Sequence, residues 1–83
     1  MEKTIIATNE TIKEIVKSEI ARLGDNADLN HIDVNQVTDM SYLFDESEFD
    51  GDISNWDVSN VTNMDGMFDD SSLEANNNLP VWY

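Results

Sequence analysis

Apolar side chains in the first third of the chain lie at the spacing of one helical face. They are Ile12, Ile15, Val16, Ile20 and Leu23. This spacing predicts an amphipathic helix. Thr8 or Asn9 is its candidate N-cap, and Gly24 follows it where a left-handed residue commonly ends a helix. The β-branched run over residues 3–7 predicts a short strand before the helix.

The rest of the chain contains two versions of one pattern. Residues 32–50 (IDVNQVTDMSYLFDESEFD) and 56–74 (WDVSNVTNMDGMFDDSSLE) align without a gap at an offset of 24. The identical pairs are Asp33/Asp57, Val34/Val58, Val37/Val61, Thr38/Thr62, Met40/Met64, Phe44/Phe68, Asp45/Asp69 and Ser47/Ser71. A fixed period in this range is typical of proteins built from stacked supersecondary units. The matched apolar residues are therefore predicted to be core, and the matched polar residues to be structural.

Each version of the pattern predicts a strand followed by a short helix. Apolar and polar residues alternate over residues 28–34 and 52–58, which favours strands. Over residues 37–46 and 61–70, apolar side chains recur at i, i+3, i+6 and i+7, on one face of a helix. The candidate caps of these helices are Asn35 or Gln36 and Ser59 or Asn60. Gly51 permits a tight reversal between the two units.

The predicted fold class is α/β: a short right-handed leucine-rich-repeat-like solenoid of about two 24-residue strand–helix repeats. Its ends would be an N-terminal amphipathic helix cap and a C-terminal aromatic flap. Pro80 in the tail LPVWY cannot donate a main-chain hydrogen bond, so the tail is predicted to be an edge strand or a closing flap. The single predicted domain, residues 1–83, divides into an N-terminal cap (1–27), the first repeat (28–51), the second repeat (52–75) and a C-terminal cap (76–83).

The net charge of −14 is unevenly distributed along the chain. All four basic residues lie in the first 22 positions, whereas the fourteen carboxylates from Asp25 onward have no Lys or Arg among them. Such a surface repels nucleic acid and anionic membranes and attracts basic proteins or cations. No cysteine is present, so neither disulfides nor thiolate zinc sites are expected.

The segments WDVSNVTNMDGMF (56–68) and LNHIDVNQVTDMSYLF (29–44) resemble the BspA-like, leucine-rich-type repeats of bacterial surface proteins. The resemblance covers about residues 28–83. It implies a right-handed solenoid with a non-catalytic role in adhesion or protein binding. Members usually carry many repeats and a secretion signal or lipid anchor. This chain has no such signal or membrane span, so we expect a cytoplasmic protein as it stands, or a cell-surface location if it is a fragment.

Asp33 and Asp57 are predicted to accept main-chain N–H groups near the following helix, with lowered pKa values. A shared cation or a catalytic dyad is the alternative. Trp56 and Trp82 are interpreted as core and cap, with an aromatic ligand platform as their alternative. The full set of predicted structural positions is Asp33, Asp57, Val37, Val61, Thr38, Thr62, Met40, Met64, Phe44, Phe68, Trp56 and Trp82.

Candidate chemistry in the sequence is sparse. Residues 46–57 superficially resemble a calcium loop, but an EF-hand has Asp first and a bidentate Glu last, and both are missing. Weak, nonspecific binding of divalent cations is therefore expected instead. His31 has no nucleophile that can be placed with it, and its match to Asn55 favours a polar strand residue. We expect no enzyme activity and no cofactor.

Two functions from different classes fit these observations. The first is a non-catalytic protein-binding module whose partner has a basic surface, without direct nucleic-acid binding or membrane insertion. The second is an anionic decoy that mimics nucleic acid and occupies the basic cleft of a nuclease or another nucleic-acid-binding protein. A minimal scaffold without a partner is a third possibility. The predicted partner-binding residues are Tyr42, Asp45, Glu46, Glu48, Asp50, Asp52, Asp65, Asp69 and Asp70.

Overall fold

The amphipathic segment forms a helix, α1, over Ile12–Leu23 in the computed structural model, which describes residues 4–83. Gly24 ends it at φ 95° and donates its N–H to the carbonyl of Ile20. The predicted helix and its C-terminal glycine are therefore confirmed. The predicted N-cap is wrong, because α1 begins after Thr11, and the Thr8 carbonyl accepts the N–H groups of Thr11 and Ile12.

Two short parallel strands pair at the N-terminal side of the first repeat. β1 spans Ile5–Ile6 and β2 spans Ile32–Asp33, with Ile5 opposite Ile32. Both are shorter than predicted, and Lys3, the first residue of the predicted strand, lies outside the described residues. The alternating segments bend because main-chain bonds from Ile32 to Leu29 and from Trp56 to Ile53 close turns within them. In the second repeat only an isolated bridge at Asp52 remains of the predicted strand.

The two sequence repeats hydrogen-bond to each other in register. Isolated parallel bridges join Asp28 to Asp52 and Asp39 to Asn63, each pair 24 residues apart. Between residues 40 and 46, every second N–H donates to a carbonyl of the second repeat at 2.8–2.9 Å. The pairs are Met40 to Asn63, Tyr42 to Asp65, Phe44 to Met67 and Glu46 to Asp69.

The helices predicted over residues 37–46 and 61–70 are wrong, because these segments form consecutive turns. An α-helix needs each N–H to bond the carbonyl four residues earlier, whereas here alternate donors go to the other repeat. The backbone is also left-handed at matched positions: Tyr42 and Gly66 have φ 58° and 62°, and Glu46 and Asp70 have φ 58° and 55°. A right-handed helix cannot continue through such residues.

The core is a ladder of aromatic rings flanked by aliphatic side chains. Phe44 stacks on Phe68 with ring centroids 5.6 Å apart and planes 2° from parallel, and it also contacts Phe49 and Trp56. Trp82 stacks on Trp56 at 6.3 Å. The tail is therefore a closing flap over the core, without a strand in residues 79–83.

A second helix, α2, spans Ser72–Ala75 and was not predicted. The Ser71 Oγ caps it by accepting the Glu74 N–H at 3.1 Å. Serine followed three residues later by glutamate is a sequence signature of a helix start, so SSLE could have revealed it. The described residues thus form a small α/β structure with two helices, two short parallel strands and a radius of gyration of 11.5 Å. That radius is about what a compact domain of this length has.

Candidate functional site

Tyr42 is the exposed aromatic residue of the repeat region. Its side chain is 56% exposed although its backbone is left-handed. The ring lies over the matched residue Gly66, where an added Cβ would come within 2.3 Å of Tyr42 Cε1. Tyr42 also donates its main-chain N–H to the Asp65 carbonyl at 2.9 Å. Because Gly66 leaves room for the ring, the second repeat supports this aromatic side chain from beneath.

Acidic residues from both repeats lie beside Tyr42 on the consecutive turns. Asp45, Asp65, Asp69 and Asp70 are exposed, as is Glu46, whose N–H donates to the Asp69 carbonyl at 2.8 Å. We call this surface the turn face; it comprises Tyr42, Asp45, Glu46, Asp65, Asp69 and Asp70. The structure thus brings together six of the nine predicted partner-binding residues.

The other three predicted partner-binding residues lie outside the consecutive turns that form the turn face. Glu48 is exposed near the end of the first repeat. Asp50 is half-buried, and its carboxylate accepts hydrogen bonds from the side-chain amides of Asn76 and Asn78 at 3.0 and 2.9 Å. Asp50 and Asp52 both line a groove of about 490 Å³ between the repeats and the C-terminal segment. Gly51 also lines this groove, where an added Cβ would come within 2.0 Å of the Ala27 carbonyl.

Asp33 and Asp57 accept main-chain N–H groups, but at turns and not at helix starts. Their Oδ1 atoms accept the N–H groups of Asn35 and Ser59 at 2.9 and 3.1 Å. Hydrogen bonds from the Ser59 hydroxyl, at 2.6 Å, and from the Ser59 N–H lower the pKa of Asp57. Each carboxylate therefore holds its own turn, through the residue two positions ahead.

The same turn recurs at two further matched pairs that the sequence analysis missed. Asp28 and Asp52 accept from Asn30 and Ser54, and Asp39 and Asn63 accept from Ser41 and Asp65, all at 2.9–3.0 Å. The bond from the Ser54 hydroxyl is the main cause of the lowered pKa of Asp52, and the bond from the Ser41 N–H is the main cause for Asp39. An Asp or Asn followed two positions later by Ser, Asn or Asp is a signal that could have found them.

A buried polar cluster joins α1 to the first repeat. Glu19 is 7% exposed, and its carboxylate accepts from Arg22 Nη2 at 2.7 Å and lies 2.6 Å from His31 Nε2. The hydrogen bonds from Arg22, and then those from His31, lower the pKa of Glu19 to about 2. The sequence predicted His31 to be a polar strand residue. Its partner lies 12 residues away on another element, so no local pattern signals this contact.

The remaining predicted structural residues lie in or against the core. Val37, Met40, Phe44, Phe68 and Trp56 are at most 5% exposed, whereas Val61, Met64 and Trp82 are half-buried against them. Thr38 and Thr62 lie on the surface, and the Thr38 carbonyl accepts the Thr62 N–H at 2.7 Å. The two tryptophans use matched hydrogen bonds, from Trp56 Nε1 to the Leu29 carbonyl and from Trp82 Nε1 to the Ile53 carbonyl, both 2.9 Å.

Residues 4–83 provide neither a metal-ligand cluster nor a membrane-spanning helix. No group of three or more His, Asp or Glu side chains in this part of the chain is arranged to hold a metal ion. Neither helix in it has the length and apolar character required to cross a bilayer.

The chain combines a small α/β fold with an acidic turn face that carries the exposed Tyr42. It belongs to the DUF285 family, described as a Mycoplasma protein of unknown function, whose model matches residues 10–83. No curated protein and no solved structure matched the chain.

Proposed function

We propose that the chain is a non-catalytic protein-binding module of the BspA-like repeat type. In this proposal the two sequence repeats are successive turns of a right-handed, leucine-rich-repeat-like solenoid. The in-register hydrogen bonds between residues 40–46 and 63–69 support this arrangement. So do the matched indole bonds of Trp56 and Trp82, because they recur one repeat apart on equivalent carbonyls. The proposed activity needs no cofactor.

The observation that carries the proposal is the presentation of Tyr42. A left-handed backbone is unfavourable for a bulky residue, yet here it holds a tyrosine ring largely exposed on top of a glycine. Tyrosine is enriched at the centres of protein interfaces, because it buries a large rigid surface and still offers a hydroxyl. A core role does not explain a ring that is 56% exposed.

The charge of the turn face indicates the kind of partner. The turn face carries five exposed carboxylates together with Tyr42, and no Lys or Arg follows Arg22 in the sequence. A basic protein surface would neutralise these carboxylates and would be steered toward them. We therefore propose a protein partner with a basic surface and an apolar contact for Tyr42.

Capture of partners from a bacterial lysate tests this proposal when the wild type is compared with Tyr42→Gly. This substitution gives the first repeat the residue that the second repeat has at the matched position, where φ is 62°, so we expect the fold to be kept. We expect Tyr42→Gly to lose the partners that the wild type captures. Val81→Ala is the matched control, because Val81 is 95% exposed but lies outside the turn face. Equal capture by Tyr42→Gly and wild type would refute the proposal.

The anionic decoy is the second candidate, and it is favoured by the net charge of −14 together with the absence of basic residues after Arg22. A decoy would bind nucleic-acid-binding proteins through charge alone and would release them steeply as salt rises. Capture that is salt-sensitive and unaffected by Tyr42→Gly would favour the decoy. Capture that persists in salt and depends on Tyr42 would favour the binding module.

A further inference from the structure

The second repeat carries a row of main-chain donors without acceptors. In the first repeat, the N–H groups of residues 40, 42, 44 and 46 donate to the second repeat. The matched N–H groups one period later belong to Met64, Gly66, Phe68 and Asp70. None of these four finds an acceptor within residues 4–83, whereas the intervening N–H groups of Asp65, Met67 and Asp69 are all bonded. The main chain of residues 64–70 is therefore an unpaired edge, which we call the open edge.

At the opposite, N-terminal edge of the repeat region, a side chain accepts the main-chain N–H groups. The Thr38 carbonyl accepts the N–H groups of Thr62 and Asn63 at 2.7 and 3.3 Å. One period earlier no such carbonyl exists, and the Asn9 Oδ1 takes its place by accepting the N–H groups of Thr38 and Asp39 at 2.9 and 3.3 Å. The N-terminal edge is thus capped by a side chain that imitates a preceding repeat.

The C-terminal flap completes the core but leaves the open edge unpaired. The Tyr83 ring meets Phe68 edge-on at 4.7 Å, where a further repeat would place its own aromatic residue. The Tyr83 N–H bonds the Pro80 carbonyl, and no carbonyl of residues 76–83 reaches the row of donors. The flap therefore shields side chains and leaves main-chain donors available to another polypeptide.

We propose that the open edge binds a basic polypeptide segment, which adds beside residues 64–70 as the second repeat adds beside the first. This inference rests on the proposed protein-binding function and adds to it a main-chain contact, at an edge that shares Asp65, Asp69 and Asp70 with the turn face. Carbonyls of the segment would accept from Met64, Gly66, Phe68 and Asp70, in the manner of peptides that extend a sheet edge. The Tyr83 ring packs against Phe68 at this edge, so we expect it to move aside when the segment binds.

Charge decides between a basic segment and a second molecule of this chain. Asp65, Asp69 and Asp70 lie on the open edge itself, and the molecule as a whole carries −14. A second molecule would bring the same charge against them, which costs free energy, whereas lysine or arginine side chains would neutralise them. The occupant is therefore a cationic segment from another protein.

A designed peptide makes this inference testable without a known partner. The probe has the sequence of residues 60–70 with three changes, Asp65→Lys, Asp69→Lys and Asp70→Lys, so that it keeps the repeat pattern and carries positive charge. The control peptide has the unchanged sequence of residues 60–70. A second control is a scrambled peptide of the probe's composition, which has the charge but not the pattern.

Amide hydrogen exchange followed by NMR on the full chain reads out the predicted contacts. We expect the N–H groups of residues 64, 66, 68 and 70 to exchange about tenfold more slowly when the probe is present at ten times its Kd. The matched N–H groups of residues 40, 42, 44 and 46 are already bonded and serve as internal controls. Three outcomes would overturn the proposal: no binding of the probe, no slowing at the four edge positions, or equal protection by either control peptide.

Two double variants test whether the carboxylates of the open edge contribute to binding of the probe. Asp69→Asn with Asp70→Asn should weaken probe binding several-fold, because it removes two charges from the open edge. Asp45→Asn with Glu46→Asn makes the same change of charge at the matched positions of the first repeat, and we expect a smaller effect. Equal weakening by the two pairs would overturn the assignment of the peptide to the open edge.

These experiments distinguish failure of the role proposed for Tyr42 from failure of the role proposed for the open edge. If Tyr42→Gly abolishes partner capture while the probe leaves residues 64–70 unprotected, the open edge is refuted and the turn face stands. If the probe protects the open edge while Tyr42→Gly captures partners as the wild type does, the assigned role of Tyr42 is refuted and the open edge stands.

Discussion

The two repeats carry the same core residues in different surroundings. Val37 and Met40 in the first repeat are 0% and 1% exposed, whereas the identical residues Val61 and Met64 in the second are only half-buried. The first repeat lies between the N-terminal elements and the second repeat, while the second has only the short flap on its outer side. The depth of burial therefore depends on which segments flank a residue on both sides and not on residue type.

The largest loss of stability is expected when an aromatic ring of the core ladder is removed. Phe44→Ala should lower the free energy of unfolding by about 3–5 kcal/mol, because it leaves a cavity between Phe49, Trp56 and Phe68. Such a loss is comparable to the whole stability of a domain this small. Urea unfolding followed by tryptophan fluorescence measures the loss.

Phe68→Ala is the matched variant of the second repeat. We expect a smaller loss than for Phe44→Ala, because the outer neighbours of Phe68 are flap residues, Trp82 and the half-exposed Tyr83, which can move into the space. If both variants remained folded with unchanged midpoints, the aromatic residues could not be the core of this fold.

The methionines provide the next comparison. Met40→Ala removes a fully buried side chain and should cost about 2–5 kcal/mol, whereas the half-buried Met64 should cost less when it is shortened in the same way. Thermal unfolding of the two single variants measures the difference. A peptide bound at the open edge should enlarge the Met64→Ala cost, because an occupant there would bury this side chain. Equal costs for the two variants would mean that the flap buries the outer repeat as well as a neighbouring repeat does.

Periodicity in the sequence predicted the buried residues Val37, Met40, Phe44 and Phe68 but overestimated the burial of Val61 and Met64, and it did not predict the local backbone. The spacing of Val37, Met40 and Phe44 fits a helix, yet it equally fits consecutive turns in which alternate N–H groups bond a neighbouring segment. Two matched left-handed positions decide between them. Glycine at residue 66 suggests the first of these positions. Tyr42 in the other repeat, and Glu46 at the second position, give no such sign, because residues of these types rarely adopt positive φ.

For the candidate site, the sequence likewise predicted the residues but not the contacts between them. Composition indicated the acidic residues, and the alignment of the repeats, which pairs Tyr42 with Gly66, marked Tyr42 as a position where they differ. Support of the Tyr42 ring by Gly66 could not be predicted, because it depends on the register between two segments that are distant in sequence. The contact of Glu19 with His31 was hidden for the same reason, whereas α1 and its end at Gly24 were predicted well because all of their signals are local.

His31 and Asn55 extend the comparison of the repeats to electrostatics. They occupy matched positions, but only His31 meets a buried carboxylate, that of Glu19. The pKa of Glu19 falls from 4.5 to about 2 in the folded protein, so the unfolded chain takes up its proton first as pH decreases. The stability due to charged Glu19 is therefore complete above pH 4.5 and is lost as pH falls toward 2.

Glu19→Gln isolates this contribution. We expect the variant to be less stable than the wild type at neutral pH and the difference to shrink as pH falls from 4.5 toward 2. Urea unfolding at a series of pH values measures it, and Asn55→Ala, which lies at the position matched to His31, provides a control without such pH dependence. A difference that stayed constant across this range would show that the Glu19 charge is not what stabilises the cluster.

The smallest expected effect on stability comes from substitutions that remove the charge of Asp33 and Asp57 but keep their hydrogen bonds in the turns. Asp33→Asn with Asp57→Asn keeps an Oδ1 acceptor for the N–H groups of Asn35 and Ser59, as Asn63 already does for Asp65. The double variant should therefore keep the fold. Wild-type stability should rise with added salt as repulsion among the carboxylates is screened, and the variant should show a shallower rise.

Asp33→Ala with Asp57→Ala removes the same charge and also the acceptors. We expect the same shallow salt dependence but lower stability at every salt concentration, because both turns lose their hydrogen bonds. If the asparagine and alanine variants were equally stable, the turn bonds would contribute nothing measurable. In that case the presence of aspartate in both repeats would have to be explained by the charge it gives the surface.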